Sequence, residues 1–380
     1  MARRIYLDYN ATTPVAPEVL EAMLPFLRDR FGNASSVHWE GQVAKQAVDD
    51  AREAVAALLG VEPREIVFTS GGTEADNLAV QGVARQYARR GRHILVSAIE
   101  HPAVLEAAKA LRYEGFDVEL IPVTADGIVD LDRFREMLRP DTVLVSVMAA
   151  NNETGVVQPV EAIGALCRER EIFFHVDAVQ AVGKLPVEPR RWGCDLLSLS
   201  AHKIYGPKGV GALYVRQGVD LTPIIYGGFQ ERGRRSGTEN VPGIVGLGAA
   251  CRYIAERWVA EAERLAGLRD RFEAELRQAF PDVWIHGQKA LRVPNTSMFS
   301  FPGADGEALM MRLDLEGFAV STGSACSSGR LEPSHVLQAM GVPPEVVRGS
   351  LRVSLGRDTT WDDLAALLTA FREIQANRRP

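Results

Sequence analysis

Short apolar runs alternate with longer amphipathic stretches between about residues 65 and 215. Several runs are almost entirely apolar, which is typical of strands that are covered on both faces. The stretches between them, such as EADNLAVQGVARQYARR (74–90), carry apolar residues at helical spacing. This alternation predicts a mainly parallel, seven-stranded sheet in an α/β fold. The predicted strands lie in EIVFTS (65–70), HILVSA (93–98), DVELIPV (117–123), TVLVSVM (142–148), IFFHVDA (172–178), DLLSLS (195–200) and GALYV (211–215).

The rest of the chain has a less regular pattern. A long helical stretch (241–280) follows the predicted sheet and leads towards a strand-like segment, SLRVSLG (350–356), and a terminal helix. The first fifteen or so residues predict an extended arm. We therefore predict a large α/β domain over residues 15–255, and a smaller α+β domain formed by residues 256–380 together with residues 1–14.

Composition narrows the class of protein. The 380 residues carry 43 basic and 49 acidic side chains, a net charge of -6, so a general nucleic-acid-binding surface is not expected. No apolar run reaches the roughly 18 residues of a membrane span, and the first arginines are not followed by the apolar segment of a secretory signal. The four cysteines (167, 194, 251 and 326) show neither a C-x-x-C pair nor zinc spacing. We expect a cytoplasmic protein with free thiols, no bound metal and no membrane contact.

One cysteine lies in an unusual setting. Cys326 is surrounded by serine and glycine in STGSACSSGR (321–330). Such residues let the backbone move and give a side chain little to pack against, whereas a structural cysteine usually behaves as a small buried hydrophobe. The segment therefore favours a chemical role for this thiol, on a loop that we expect to be mobile.

Polar residues follow several predicted strands, and open parallel sheets bind ligands at the edge where those strands end. Gly71, Gly72 and Thr73 lie between a strand and a helix, where free N–H groups and the helix dipole favour an anion. The same turn also fits an ordinary strand-to-helix connection that is capped by the threonine. Anion binding and simple capping therefore both remain open for this turn.

A second polar group follows DLLSLS (195–200). Lys203 could form a Schiff base there, while Ser200 and His202 could donate hydrogen bonds to a phosphate. A single lysine at such a position is more often a surface charge, and we assign Lys208, in the next turn, to solvent.

Three more strand ends carry candidate side chains. Asp177 ends an apolar strand, where its carboxylate needs a partner such as a pyridinium nitrogen, although it could equally cap the next turn. His175, two residues earlier, would suit a metal, but no third ligand is apparent. His101 could stack on a flat cofactor or cap the following helix. Asn152 could contact a cofactor or shape its own loop.

Taken together, these residues supply a phosphate cradle, a Schiff-base lysine, a carboxylate for a ring nitrogen and a stacking histidine. Pyridoxal phosphate requires this set of groups. The sequence therefore predicts an enzyme that uses pyridoxal phosphate.

Several longer motifs occur in a fixed order along nearly the whole chain. They are YLDYNATTPV, FTSGGTEADNLA, EHPAVL, NNETGVVQP, HVDAVQAVGK, SAHKIYGPKGVGALYV, GGFQERGRRSGTEN, STGSACSSG, LEPSHVLQAMG and LRVSLG. In these motifs the sequence resembles the cysteine desulfurases, pyridoxal-phosphate enzymes of fold type I in the class V aminotransferase group. The similarity is greatest to the branch that serves nitrogen fixation and iron–sulfur-cluster assembly.

The resemblance implies a role for each matching residue. Lys203 would hold the cofactor covalently and Asp177 would pair with the ring nitrogen. His101 would stack on the ring and move protons, and Cys326 would be the nucleophile. The other implied contacts are Gln180 with the ring oxygen; Gly72, Thr73, Ser200 and His202 with the phosphate; Thr238 with the phosphate of the neighbouring subunit in a homodimer; and Asn152 and Arg352 with the substrate carboxylate, Asn152 also beside the cofactor.

The implied reaction converts L-cysteine to L-alanine and leaves the sulfur on Cys326 as a persulfide. The sulfur acceptor would be an iron–sulfur scaffold, with a transient cluster contact through Cys326, or another protein such as a tRNA-thiolation enzyme. Two alternatives remain open. One is an aminotransferase, or a lyase acting on selenocysteine or another amino acid, in which Cys326 is a bystander. The other is a non-catalytic subunit of a sulfur-transfer assembly, against which the presence of Lys203, Asp177, His101 and Cys326 argues.

Overall fold

This computed structural model describes residues 4–322 and 333–376, with the backbone alone for 375 and 376. Its strands are β1 (Ile5–Tyr6), β2 (Ile66–Thr69), β3 (His93–Ser97), β4 (Asp117–Ile121), β5 (Thr142–Ser146), β6 (Phe173–Asp177), β7 (Leu196–Ser200), β8 (Gly211–Val215), β9 (Trp284–Ile285), β10 (Thr296–Ser300), β11 (Phe318–Ala319) and β12 (Ser350–Ser354). Its α-helices are α1 (Pro17–Arg28), α2 (Trp39–Leu59), α3 (Gly72–Gln86), α4 (Pro102–Leu111), α5 (Leu131–Met137), α6 (Val160–Glu169), α7 (Pro189–Trp192), α8 (Val241–Ala255), α9 (Trp258–Ala279), α10 (Gly306–Leu315), α11 (His335–Ala339), α12 (Pro344–Val347) and α13 (Trp361–Ala376).

The largest sheet has seven strands in the order β2-β8-β7-β6-β5-β3-β4. Strand β8 pairs antiparallel with both β2 and β7, and the remaining neighbours pair parallel. Six of the seven strands therefore point the same way. Each of the seven apolar runs contains one strand of this sheet, so the prediction of a mainly parallel, seven-stranded α/β sheet is confirmed.

The sheet is covered on both faces, as its apolar strands require. Along β7 and β8, successive side chains join two different hydrophobic clusters: Leu197 and Tyr214 belong to one, whereas Leu196 and Leu213 belong to the other. Helices α2, α6 and α8 contribute to the first cluster, while α3 and α4 contribute to the second. Because helices fill both faces, ligands reach the sheet at its edges and strand ends.

A third cluster is built mainly from the last part of the chain and includes Leu7 of the N-terminal arm. There β12, β10 and β9 form an antiparallel sheet, and β1 pairs parallel with β11. The predicted arm is largely extended, and Asp8 also forms a bridge to Ser354 of β12. The domain division at residues 14/15 and 255/256 stays a prediction.

The predicted long helical stretch is two helices, α8 and α9. Glu256 and Arg257 lie between them, and the Arg257 side chain donates a hydrogen bond of 3.0 Å to the Tyr253 carbonyl. That side chain satisfies a carbonyl that a continuous helix would have paired with a backbone N–H, so the chain can turn without proline or glycine.

Candidate active site

A cavity of about 280 Å³ lies at the carboxyl ends of the parallel strands. Asp177 is the last residue of β6, Ser200 is the last of β7, and Gly72 begins the helix after β2. The cavity therefore brings together residues that are up to 342 positions apart along the chain (Asn10 to Arg352). The predicted site residues that line it are Gly72, Thr73, His101, Asn152, Asp177, Gln180, Ser200, His202, Lys203 and Arg352.

Lys203 ends a short 3-10 turn, Ala201–Lys203, that follows β7. Its amine donates hydrogen bonds to the backbone carbonyls of Asn10, at 2.5 Å, and Ala11, at 2.8 Å. The N-terminal arm thus forms the wall against which the amine rests. The assignment of Lys208 to solvent agrees with its exposed position.

Asp177 is buried, with 6 % of its surface exposed. Its Oδ1 accepts a hydrogen bond of 2.9 Å from the N–H of Val179, so it does cap the next turn. Burial raises the pKa of this carboxyl to about 6, while the nearby charge of Lys203 acts in the opposite direction. The other carboxylate oxygen is not used by that cap, and the same side chain lines the cavity, so capping leaves it able to face a cation.

His175 lies behind this carboxylate and is fully buried. Its ring nitrogens contact the hydroxyls of Ser146, at 2.8 Å, and Ser198, at 2.9 Å. Burial lowers the pKa of His175 to about 3, so the ring is neutral at physiological pH. Among the residues that the structure describes, no cluster of three His, Cys, Asp or Glu side chains could hold a metal ion.

Asp76, on helix α3, also lines the cavity and was missed by the sequence analysis. It is 2 % exposed, and its Oδ1 is buried, 3.6 Å from His175 Nε2 and without a hydrogen-bond partner among the residues that the structure describes. Burial, followed by the charge of Asp177, raises its pKa well above the usual range. A signal was available, because Asp76 is the one acidic residue on a helical face otherwise formed by Ala75, Leu78 and Ala79.

The start of α3 fits an anion. Gly71 precedes the helix, and no side chain caps its first N–H groups. A Cβ at Gly72 would come within 2.9 Å of Val179 Cγ2, so only glycine lets the backbone lie this close to the cavity. Beside this turn, Ser200 Oγ is buried and has no hydrogen-bond partner within the described part of the chain. Free backbone donors and an unused hydroxyl are what a phosphate group needs.

His202 completes this end of the cavity. Its Nδ1 lies 3.2 Å from the hydroxyl of Thr12 on the arm. Burial first, and then the charge of Lys203, lowers the pKa of His202 to about 4. The neutral ring can donate one hydrogen bond to a bound anion without adding a charge.

The structure shows one of the two roles that the sequence left open for His101, the helix cap, while stacking on a cofactor stays a prediction. His101 is the N-cap of α4, where its Nδ1 accepts a hydrogen bond of 3.1 Å from the N–H of Ala103. The neutral ring therefore carries its proton on Nε2. Burial lowers the pKa of His101 to about 4, with the charge of Lys203 as the second cause. The ring also lines the cavity.

Arg352 lies on β12 and is 2 % exposed. Its Nη2 is 2.6 Å from Asp8 Oδ1, and its Nη1 donates to the Asn152 carbonyl at 2.9 Å. Its Nε is buried and has no hydrogen-bond partner in the stretches 4–322 and 333–376. The guanidinium is held in place on one side and can still donate to a carboxylate in the cavity.

Asn10 is the second residue that the sequence analysis missed. It is 2 % exposed and lines the cavity. Its carbonyl accepts from Lys203 and from Gln180 Nε2, at 2.5 and 2.9 Å. Its amide Nδ2 donates to the Asn152 carbonyl at 3.1 Å and to Thr296 Oγ1 at 2.8 Å. The polar YN pair within an extended arm was the sequence signal, but its partners lie more than 140 residues away.

Two predicted site residues are not among those that line the cavity. Thr238 is exposed on the segment that precedes α8 and lies outside the cavity of this chain. Cys326 lies outside the described residues, so its predicted role as the nucleophile and the predicted mobility of its loop stay predictions.

The sequence profile of the family "Aminotransferase class-V" matches residues 5–367, so the chain belongs to that family. Members of the family are pyridoxal-phosphate enzymes. Within it, the chain is a member of the cysteine desulfurases of the nitrogen-fixation and iron–sulfur-cluster type, as the following relatives show.

Two curated relatives cover almost the whole chain. "Cysteine desulfurase IscS" of Dictyoglomus turgidum is 49% identical over 98% of this chain and 95% of its own length. The protein of the same name from Methanosarcina thermophila is 48% identical over 98% of this chain and 92% of its own. The resemblance inferred from the motifs is therefore confirmed.

Solved structures of similar proteins superpose on this chain over nearly its whole length. A "NifS-like protein" superposes with a TM-score of 0.93, at 41% identity, over 99% of this chain and 100% of its own. "SspA in complex with cysteine" superposes with a TM-score of 0.82, at 38% identity, over 93% of this chain and 99% of its own. These neighbours confirm the predicted fold. In the stretches 4–322 and 333–376, no helix is both long enough and apolar enough to cross a membrane.

Proposed function

We propose that the chain binds pyridoxal phosphate and acts as a cysteine desulfurase. L-cysteine would be converted to L-alanine, and its sulfur atom would pass to the Cys326 thiol as a persulfide. The step balances without an external oxidant: the Cβ–S bond and the S–H bond of Cys326 break, and an S–S bond and a new Cβ–H bond form. Cβ keeps the electron pair of the broken bond and takes up a proton, so its reduction offsets the oxidation of the sulfur, and alanine leaves with one sulfur atom fewer than cysteine. The observation that carries the proposal is the meeting of Lys203, Asp177 and the anion cradle of α3 in one cavity.

The residues present fit the cofactor. Lys203 is the amine that would bind it covalently, the buried Asp177 would face its ring nitrogen, and the α3 N-terminus with Ser200 Oγ would hold its phosphate. When bound, pyridoxal phosphate acts as an electron sink that makes the Cα proton acidic and weakens the bond from Cβ to sulfur. The protein supplies orientation and proton transfer.

The substrate would be held by its carboxylate. Arg352 has an unpaired buried Nε, and its two Nη atoms are fixed by Asp8 and Asn152. A planar, charged fork of this kind recognises a carboxylate with directional hydrogen bonds. Asn152 lines the cavity beside it.

Protons would be moved by two residues. Lys203, released from the cofactor, can rest its amine on the Asn10 and Ala11 carbonyls and take the Cα proton. His101 is neutral, with its proton on Nε2 because Nδ1 is used by the helix cap. It is therefore suited to exchange the thiol proton of the substrate.

The other cysteines support Cys326 as the sulfur acceptor. Cys167, Cys194 and Cys251 are buried, with 0–1 % of their surfaces exposed. Burial raises the pKa of each thiol, so their thiolates are suppressed. Since the thiolate is the nucleophile, these three cysteines are poor acceptors, and the fourth cysteine of the sequence is the candidate.

We further propose a homodimer in which Thr238 reaches the partner's phosphate site. The stretch from the end of α1 to the start of α2 and the segment around residue 229 expose large apolar side chains, and Phe31, Trp39 and Phe229 are 79%, 71% and 83% exposed. A second copy of the chain would cover them. A buried ion pair of 2.7 Å between Arg52 and Glu231 fixes the start of the segment that carries Thr238.

The remaining partners are proposed from the family alone. Sulfur would pass from Cys326 to an iron–sulfur scaffold or to another acceptor such as a tRNA-thiolation enzyme, in the cytoplasm. The cytoplasm is reducing, which suits a protein whose function depends on a free thiol.

The experiment is to add pyridoxal phosphate to the purified chain, remove the excess, and incubate it with L-cysteine and a thiol reductant. Alanine and sulfide should form in equal amounts. The Lys203→Ala variant should form neither, while Lys289→Ala, at an exposed lysine outside the cavity, should match the wild type. Equal product formation by Lys203→Ala would contradict the proposal.

A further inference from the structure

Lys184 is the last residue of the motif HVDAVQAVGK (175–184), and none of the functions considered so far uses it. Its amine donates to Gln180 Oε1 at 2.6 Å and to Asn10 Oδ1 at 3.3 Å. Both partners line the active-site cavity, whereas Lys184 lines a second cavity, of about 370 Å³, that shares Lys203 with the first. The amine thus lies directly behind the wall of the site.

The two amides that bind this amine have fixed orientations. An amide has a donor end and an acceptor end of nearly equal shape, and its neighbours decide which end faces which way. Asn10 Nδ2 faces the Asn152 carbonyl at 3.1 Å, and Gln180 Nε2 faces the Asn10 carbonyl at 2.9 Å. Carbonyls only accept, so these ends must be the N–H₂ groups, and both amide oxygens point towards Lys184.

The carbonyl of Asn10 has a second donor. Lys203 Nζ binds it at 2.5 Å, beside Gln180 Nε2. The position of the Lys203 amine and the direction of the Gln180 amide therefore depend on the same carbonyl. From the side that faces away from the site, Lys184 holds Gln180, and it shares Asn10 Oδ1 with Asn295 Nδ2, which donates to that oxygen at 3.0 Å.

We propose that Lys184 is a positioning residue for the reaction. It anchors the amide oxygens of Gln180 and Asn10, and it thereby directs Gln180 Nε2 and the Asn10 carbonyl towards the cofactor and the Lys203 amine. This inference rests on the proposed function, because it assumes that pyridoxal phosphate lies where Lys203 and Asp177 would bind it. It assigns Lys184 no contact with substrate or cofactor.

Several charged groups lie near Lys184 and Lys203, and they contribute to the pH dependence of the site. Burial first, and then the charges of Lys203 and Arg352, lowers the pKa of Lys184 to about 7. The titratable groups that face Lys203 are Asp177, His101, His202 and Lys184. The second cavity adds Tyr9, Tyr205, Tyr253, Glu256, Arg257, Glu261, Arg264 and Arg357.

The test uses the visible absorbance of the cofactor-loaded protein as a function of pH, together with the dissociation constant for pyridoxal phosphate. Lys184→Met and Lys184→Gln remove the ammonium, and Lys184→Arg retains a group that only donates. Lys289→Met is the exposed-lysine control. The expected result is a shift of the absorbance midpoint by about 0.5 pH units or more, and about fivefold weaker cofactor binding, in the two neutral variants. Lys184→Arg and Lys289→Met should remain at wild-type values.

The decisive comparison repeats Lys184→Met in a Gln180→Ala background. Since Lys184 acts largely through Gln180, the double variant should shift the midpoint little further than Gln180→Ala alone. The inference would be overturned if the midpoint shifts of Lys184→Met and Gln180→Ala were purely additive. It would also be overturned if Lys184→Met and Lys184→Gln titrated as the wild type does. A wild-type protein that binds no pyridoxal phosphate would instead overturn the proposed function, so the two failures are distinguishable.

Discussion

Arg352 of β12 and Asp8 of the N-terminal arm form an ion pair of 2.6 Å between Nη2 and Oδ1. The side chains are 2% and 19% exposed, so the pair is largely shielded from solvent. It joins the first and last parts of the chain at the rim of the cavity. The arm therefore fixes the guanidinium as well as the Lys203 amine.

Replacing Arg352 by lysine should raise the KM for L-cysteine. Lysine keeps the charge but cannot present parallel N–H groups to a carboxylate, so a loss of roughly tenfold or more is expected. The cofactor absorbance should be unchanged, because Arg352 is assigned to the substrate. Steady-state kinetics provide the measurement, and an unaltered KM would remove Arg352 from substrate binding.

Substitutions at His101 can separate its two roles. Alanine removes the helix cap and should cost about 1 kcal/mol of unfolding free energy, whereas asparagine is itself a good N-cap and should cost little. Both variants should lose activity, by roughly a hundredfold, because neither can move a thiol proton as imidazole does. Urea unfolding and alanine formation should be measured on both. An active His101→Asn variant would leave His101 only the capping role.

The buried carboxyl group of Glu100 should make the unfolding free energy of the protein depend on pH. It is fully buried, and its Oε1 accepts a hydrogen bond of 2.7 Å from the N–H of Met148 and another from the Ser97 hydroxyl. Burial raises its pKa from 4.5 to about 8. The folded state thus holds this proton more tightly than the unfolded state, so the stabilisation is complete below about pH 4.5 and is lost as the pH rises through 8.

Glu100→Gln lacks this titration. Between pH 5.5 and 8 its unfolding free energy should rise relative to that of the wild type by more than about 1.4 kcal/mol, the equivalent of one pKa unit. Burial also raises the pKa of Glu153, to about 7, and that of Asp177. Both groups are present in the wild type and in Glu100→Gln, so their contributions largely cancel in the difference between the two unfolding free energies. Glu106→Gln, at an exposed carboxylate, is the control. If the difference in unfolding free energy between Glu100→Gln and the wild type did not change with pH, the raised pKa assigned to Glu100 would be contradicted.

The sheet was predictable because six of its seven strands, all except β4, are buried along their whole length, and their sequences are correspondingly apolar. The short strands β9 and β11 were not, since two residues carry too little pattern and their pairing depends on distant partners. The division between α8 and α9 was missed because no proline or glycine marks it and a side chain, Arg257, makes the turn possible.

Most of the cavity was predictable, because its residues follow strands whose ends meet at one edge of the sheet. Asn10 was not, because nothing local shows that the arm folds back against Lys203. The same holds for Asp8, whose partner is 344 residues away. Lys184 lies in a quoted motif, but its role depends on the orientation of two amides that only the folded chain defines.

The most direct test of the account concerns the sulfur on Cys326. The cofactor-loaded protein should be incubated with L-cysteine in the absence of reductant and then digested. The mass of the peptide that contains Cys326 should be measured by mass spectrometry. We predict a gain of one sulfur atom on that peptide and none on the peptides of Cys167, Cys194 and Cys251. In a parallel incubation with a thiol reductant, which releases the outer sulfur as sulfide, the Cys326→Ala variant should keep the cofactor absorbance but release no sulfide, whereas Cys251→Ala should behave as the wild type. Sulfide release by Cys326→Ala at the wild-type rate, or an unmodified Cys326 peptide, would contradict the account.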